Sequence, residues 1–97
     1  MKLTRDELLD LYSDGRRDFS GENLSYIEIS HEDLSGCNFM FANMEGCELI
    51  ACDLTSCDFR VSNLKFSSWV DCETEGSLFE QADTEGASFD NHYSECV

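Results

Sequence analysis

The chain has 97 residues, 21 of them acidic and 6 basic, for a formal net charge of −15 at pH 7. That length allows one small domain, and the excess of carboxylates excludes direct binding to the phosphate backbone of nucleic acids. No apolar run approaches the roughly 20 residues that cross a bilayer. The start, MKLTRDELLDLYS, is broken by carboxylates and lacks the apolar core of a secretory signal.

The first predicted element is a helix over about residues 5 to 14. Thr4-Arg5-Asp6-Glu7 has the form of a capping box, in which the Thr4 hydroxyl and the Glu7 carboxylate each satisfy an open amide. Leu3 and Leu8 are placed as a hydrophobic staple, and Gly15 is a natural stop. Leu8, Leu11 and Tyr12 share one face. That face is expected to cover the first turn of the repetitive region after residue 16 and shield its open edge, so residues 1–16 form a capping segment. As a membrane anchor the helix has the wrong sign, with four acids against Arg5.

From residue 17 onward the sequence repeats every five residues. A large slot falls at Phe19, Leu24, Ile29, Leu34, Phe39, Met44, Leu49, Leu54, Phe59, Leu64, Trp69, Phe79 and Phe89, and lapses at Thr74, Thr84 and Ser94. The slot two earlier is Cys, Ala or Ser throughout from Cys37 to Ala87, and the slot between is Asp or Asn at nine of sixteen places. Neither a helix nor a strand has a period of five. Phe19, Phe39, Phe59 and Phe79 recur every twenty residues, which suggests a coil of four five-residue sides. Stacked coils rise roughly 4.8 Å each, close enough for phenylalanine rings to form an offset column.

This register explains the cysteines. Cys37, Cys47, Cys52, Cys57 and Cys72 occupy the inward small slot, where a buried thiol acts as a small hydrophobe, and Cys96 lies in an outward slot. Their spacings of ten, five, five and fifteen differ from the close pairs of zinc sites. Cys37 lies beneath Cys57 and Cys52 beneath Cys72; distance alone does not forbid a disulfide. Exchange with Ala and Ser along the slot favours reduced structural thiols and, with the missing signal, a cytoplasmic location.

The pattern A/C/S-D/N-L/F-x-x resembles that of the pentapeptide repeat proteins over residues 17–97, and the stretch ELLDLYSDGRRDFSGENL is similar to cyanobacterial members. The resemblance implies an all-β solenoid, a right-handed quadrilateral β-helix of about four coils, behind a short N-terminal capping helix. The first coil departs from the pattern at Arg17, Glu22, Ile27 and Glu32, and the last at His92 and Ser94.

Two outer surfaces stand out. Met40, Phe41 and Val61 share one side, and Phe66 lies on the adjoining side with Tyr26; Ile50 and Val70 fall on the next. Contiguous exposed apolar residues mark an interface, or simply pack across neighbouring coils. The second surface is acidic: Glu75, Glu80, Glu85, Asp90 and Glu95 put a carboxylate on every side of the last coil. It serves as a charged rim that stops ends from stacking, or as a dock for a basic partner or another repeat domain; no dense oxygen loop of the calcium type accompanies it.

No catalytic set, phosphate loop, metal site or cofactor site is apparent, and His31 and His92 have no chemical partner in register. The chain is expected to be a non-enzymatic structural or protein-interaction module. It would be a monomer or weakly self-associating, with a protein partner or another repeat domain stacked on its C-terminal coil. The resemblance implies an alternative, an acidic mimic of DNA that binds a type II topoisomerase, DNA gyrase. Four coils span about 19 Å, a length of duplex with about eleven phosphates, so the charge suffices. Its distribution fits less well, because Arg60 and Lys65 interrupt the middle, and the helical dimerisation segment of the known mimics is missing.

Overall fold

A computed structural model describes residues 2–90. Helix α1, Arg5–Ser13, opens on the predicted capping box: the Glu7 amide donates to Thr4 Oγ1 at 3.2 Å and the Thr4 amide to Glu7 Oε1 at 2.9 Å. Leu8 is buried, with Leu3, Leu9, Leu11 and Tyr12 packed against the same core. The Tyr12 hydroxyl donates to the Ser35 carbonyl of the first coil at 2.9 Å. Lys2 pairs in parallel with Asn23, so the segment before the helix also closes part of that coil's edge. The described residues contain no helix long and apolar enough to cross a membrane.

The rest of the described chain winds into stacked four-sided coils, with like positions twenty residues apart. The third side carries the regular strands β1 (Glu28–Ser30), β2 (Glu48–Ile50), β3 (Ser68–Val70) and β4 (Ser88–Asp90), paired in parallel in that order. The other three sides make isolated parallel bridges at the same spacing, such as Asp18 to Asn38 to Asp58 to Leu78. Each coil bonds to both neighbours through its backbone. The Phe39 amide reaches the Asp58 carbonyl above at 2.7 Å, and the Asn38 amide reaches the Arg17 carbonyl below at 2.8 Å.

Two slots explain why the sides differ. Wherever the slot before the large residue is Asp or Asn, its side-chain oxygen accepts the backbone amide two residues on, as in Asp33 with Ser35 at 2.9 Å and Asn63 with Lys65 at 3.0 Å. All nine Asp and Asn in that slot do so, on the first, second and fourth sides. Such side-chain turns draw the backbone away from a strand. The third side has Glu28, Glu48, Ser68 and Ser88 there, makes no such turn, and runs as strand. The other slot lies two residues after the large one. From Gly21 to Gly86 it has φ between 54° and 78° at every repeat, which turns each corner. Glycine suits that conformation, and Gly21, Gly36, Gly46, Gly76 and Gly86 sit there.

The core is a continuous column. Phe19, Phe39, Phe59 and Phe79 stack with centroids 5.8, 5.2 and 5.2 Å apart and planes within 22°. Trp69 meets Phe59 edge-on at 5.1 Å and donates its indole N–H to Ser67 Oγ at 2.8 Å, which satisfies the buried donor. In the small slot the side chains also donate. Cys57 Sγ reaches the Leu34 carbonyl at 3.2 Å and Ser77 Oγ the Leu54 carbonyl at 2.6 Å, which makes Cys and Ser interchangeable for hydrogen bonding as well as size. The pattern loosens at both ends. Arg17 and Glu32 are exposed instead of inward, with the Arg17 guanidinium 3.6 Å over the Tyr12 ring of α1, and in the uppermost described coil Phe79 and Phe89 are half-buried while Thr84 is exposed. Cys96, His92 and Ser94 lie outside the described residues.

Candidate protein-interaction surface

The corners decide what the outside presents. A non-glycine residue at positive φ costs roughly 1–2 kcal/mol, and Asn or Asp bears it best. Nine corners nevertheless carry a residue other than glycine, Asp71 among them, and four of the nine are Tyr26, Phe41, Val61 and Phe66. Val61 is the one β-branched residue among these nine, the type least suited to that backbone. Phe41, Val61 and Phe66 are 61%, 38% and 59% exposed.

Phe41 and Val61 stand one above the other on the corner between the first and second sides, and Tyr26 and Phe66 on the corner between the second and third. The two pairs therefore border the second side. On the second corner aromatic and glycine alternate: a β-carbon added at Gly46 would lie 2.4 Å from the Tyr26 ring, and one at Gly86 2.5 Å from the Phe66 ring. Each ring lies over the glycine of the next coil, so packing explains part of Tyr26 and Phe66. Phe41 has Val61 rather than a glycine above it and is exposed to the same degree as Tyr26 and Phe66. Between the corners runs a column of Asn23, Asn43 and Asn63, where Asn63 Nδ2 donates to Asn43 Oδ1 at 3.3 Å.

The fourth residue expected in this patch is less available. Met40 is half-buried, and Arg60, held by Asp58 with Nη2 to Oδ2 at 2.7 Å, lays its guanidinium 3.8 Å from the Met40 sulfur. Sequence reading overlooked Leu78, which is exposed on the first side above Asp58. The signal was present, since Leu78 breaks the Asp18, Asn38, Asp58 column.

The acidic residues are distributed by side. The third and fourth carry nine, Glu28, Glu48, Asp71 and Asp90 with Glu32, Asp33, Asp53, Glu73 and Glu75, and no Lys or Arg. The first and second carry seven acids with Arg17, Arg60 and Lys65. Negative charge is thus thinnest where the apolar corners lie. Glu75, Glu80, Glu85 and Asp90 are exposed on four successive sides of the uppermost described coil; Glu95 lies outside the described residues. Several turn-forming carboxyls are held below the usual range: Asp33 by the amide and then the hydroxyl of Ser35, Asp58 by Arg60.

Among the described residues no group of three His, Cys, Asp or Glu is placed to hold a metal ion. The five described cysteines are reduced and buried. Burial pushes the Cys37 and Cys47 thiols up to about 12 and Cys57 to about 11, values that keep them protonated and unreactive. Cys52 Sγ and Cys72 Sγ donate to backbone carbonyls of the coil below, to Ile29 at 3.5 Å and to Leu49 at 3.3 Å, as Cys57 does to Leu34.

Comparison with known proteins agrees with this architecture. The family model described as pentapeptide repeats matches eight copies over residues 33–67. Among solved structures, a pentapeptide repeat protein of the Arabidopsis thaliana thylakoid lumen superimposes with a TM-score of 0.76 at 26% identity, covering 80% of this chain and 54% of that one. QnrB1, a plasmid-mediated fluoroquinolone resistance protein, gives 0.69 at 29% identity, over 74% of this chain and 38% of that one. A pentapeptide repeat protein of the cyanobacterium Cyanothece 51142 gives 0.51 at 19% identity, over 75% of this chain and 54% of that one, a likeness of fold alone. The chain spans about half or less of the length of these structures. No curated protein matches it by sequence.

Proposed function

Because this chain is a pentapeptide repeat protein, a right-handed quadrilateral β-helix behind a capping helix, we propose that it is a non-enzymatic module that binds another protein through the apolar corners bordering its second side. The observation that carries this reading is Phe41 beneath Val61. Both are apolar and exposed, and both occupy a backbone conformation that neither residue favours. Glycine or asparagine would hold the same corners with less backbone strain, whereas a binding surface gains contact area from an aromatic anchor. Phe66 extends the surface across the second side, and Met40 contributes once Arg60 swings aside. The acid-free corners suit an apolar contact, and the acidic sides hold the chain in solution in the cytoplasm. The test is affinity capture from the native cell with wild type and Phe41→Glu. A partner held by wild type and lost from the variant locates the site; equal capture by both overturns it.

A second reading draws on the likeness to the fluoroquinolone resistance protein: an acidic mimic of DNA that occupies a type II topoisomerase. Its carboxylates would come from the third and fourth sides. Inhibition of gyrase supercoiling by the purified chain, reduced when Asp53 and Glu73 are made neutral, supports it; unchanged gyrase activity overturns it.

A further inference from the structure

Phe41 and Val61 are successive members of one corner column, and Glu45 and Lys65 are successive members of a column beside the other corner of the same side. Between them Asn43 bridges Asn63 in parallel. The Gly46 amide donates to the Lys65 carbonyl at 2.8 Å and the Phe41 amide to the Arg60 carbonyl at 3.2 Å, which fixes the register of both columns. All three pairs span the second and third coils and so share one mid-height. The members of each pair suit one another: aromatic with aliphatic, amide with amide, carboxylate with ammonium. Among the described residues Lys65 Nζ lies 3.5 Å from Asp83 Oδ2, and Glu45 makes no ion pair.

A half-turn about an axis that crosses this side between the two coils lays a second copy on the first, with the solenoids antiparallel. Phe41 then faces Val61 of the second copy, and Val61 faces its Phe41. Asn43 faces Asn63 of the second copy, amide to amide. Glu45 faces Lys65 of the second copy, and the two columns close into a square of alternating charge. An isologous contact makes each of these pairs twice. The exposed rings of Tyr26 and Phe66 border the contact. With the solenoids parallel instead, Glu45 and Lys65 fall opposite the asparagine column and no charge is matched. The same half-turn on the fourth side sets Asp53 against Glu73, carboxylate against carboxylate.

We propose that the second side pairs two copies of this chain in this antiparallel register. The proposal rests on the reading that binding belongs to the corners of that side, and it names the occupant. Size and charge set its strength. One side is about 19 Å tall and the molecule measures 22 × 20 Å across, so each copy offers less than the about 800 Å² per partner of a stable complex. The charge of −15 on each copy opposes pairing, and salt screens that long-range repulsion. The dimer therefore forms at high protein concentration and strengthens with salt.

The test is sedimentation velocity of the full chain over a concentration series at physiological ionic strength, with the fold of each variant checked by circular dichroism. Wild type should pass from monomer to dimer. Phe41→Glu, Glu45→Lys and Lys65→Glu should each raise the dissociation constant at least about tenfold, Glu45→Lys although it lowers the net negative charge. Mixing Glu45→Lys with Lys65→Glu should restore pairing as a heterodimer, because every facing pair then has opposite sign again. A wild type that stays monomeric at every concentration, association unchanged by Phe41→Glu, or a mixture no more associated than its components overturns the proposal. A partner captured from the cell by wild type and lost with Phe41→Glu, while the purified chain stays monomeric, overturns the pairing of copies and leaves the binding surface standing. Association and capture both unchanged by Phe41→Glu overturn the surface as well.

Discussion

Phe59 shows how one residue supports the column. It stacks on Phe39 and Phe79 and meets Trp69 edge-on, all within 5.2 Å between centroids. Phe59→Ala should cost about 3–5 kcal/mol in chemical denaturation. Cys57→Ala keeps a small apolar group and loses one weak S–H bond, so about 1 kcal/mol is expected; equal losses would contradict the inward slots. Both slots were legible because burial forces a choice of size every five residues. The corner conformation was not, because Tyr, Phe and Val there hid what Gly21, Gly36, Gly46, Gly76 and Gly86 were marking. Gly21 and Gly46 now separate two effects. Both have φ near 70°, but only a β-carbon at Gly46 would meet a ring. Gly21→Ala should cost about 1 kcal/mol from backbone strain. Gly46→Ala should cost more, and adding Tyr26→Ala should remove the excess in a thermal melt.

At the scale of elements, the Asp and Asn turns mark the bridged sides, and Glu73 and Leu78 keep the bridges of their columns without making the turn. The sequence displayed those nine residues, but their role required the amide two positions on, which a periodicity count does not contain. The helix was easier to see, because Thr4 and Glu7 form a local motif that depends on nothing distant. The aspartate turns also give the sides a pH dependence. Asp33 has its carboxyl lowered by Ser35, so its contribution is complete above the unfolded value of about 3.9 and is lost as pH falls through the lower folded value. Asp33→Asn keeps an acceptor at every pH, as Asn43 does with the Glu45 amide. In urea denaturation the variant should match wild type near neutrality and lose less stability than wild type below about pH 4. A parallel loss in both proteins would remove Asp33 from the account.

The described residues have two unlike ends and two unlike halves. Helix α1 covers the first coil. On the uppermost described coil the amides of Phe79, Gln81, Thr84 and Gly86 have no partner among the described residues, inside a ring of Glu75, Glu80, Glu85 and Asp90. If these carboxylates keep such edges apart, screening should weaken them, since exposed charges interact little beyond about 8 Å at physiological ionic strength. Sedimentation velocity should show wild type mostly monomeric at low salt and more associated at high salt or low pH. Glu80→Gln with Glu85→Gln and Asp90→Asn should associate already at low salt; a tight wild-type dimer at low salt would make that edge an interface between copies. Charge segregation by side was legible once the period of twenty was known, whereas the shielding of Met40 by Arg60 was not, because it depends on a rotamer. The central claim is that binding belongs to the corners around the second side. The most direct measurement places one new carboxylate per side, with Phe41→Glu, Phe66→Glu, Ile50→Glu and Thr55→Glu, and compares binding of the captured partner to each folded variant. The account predicts loss with Phe41→Glu and Phe66→Glu and retention with Ile50→Glu and Thr55→Glu. Retention by all four, or loss confined to Ile50→Glu or Thr55→Glu, would contradict it.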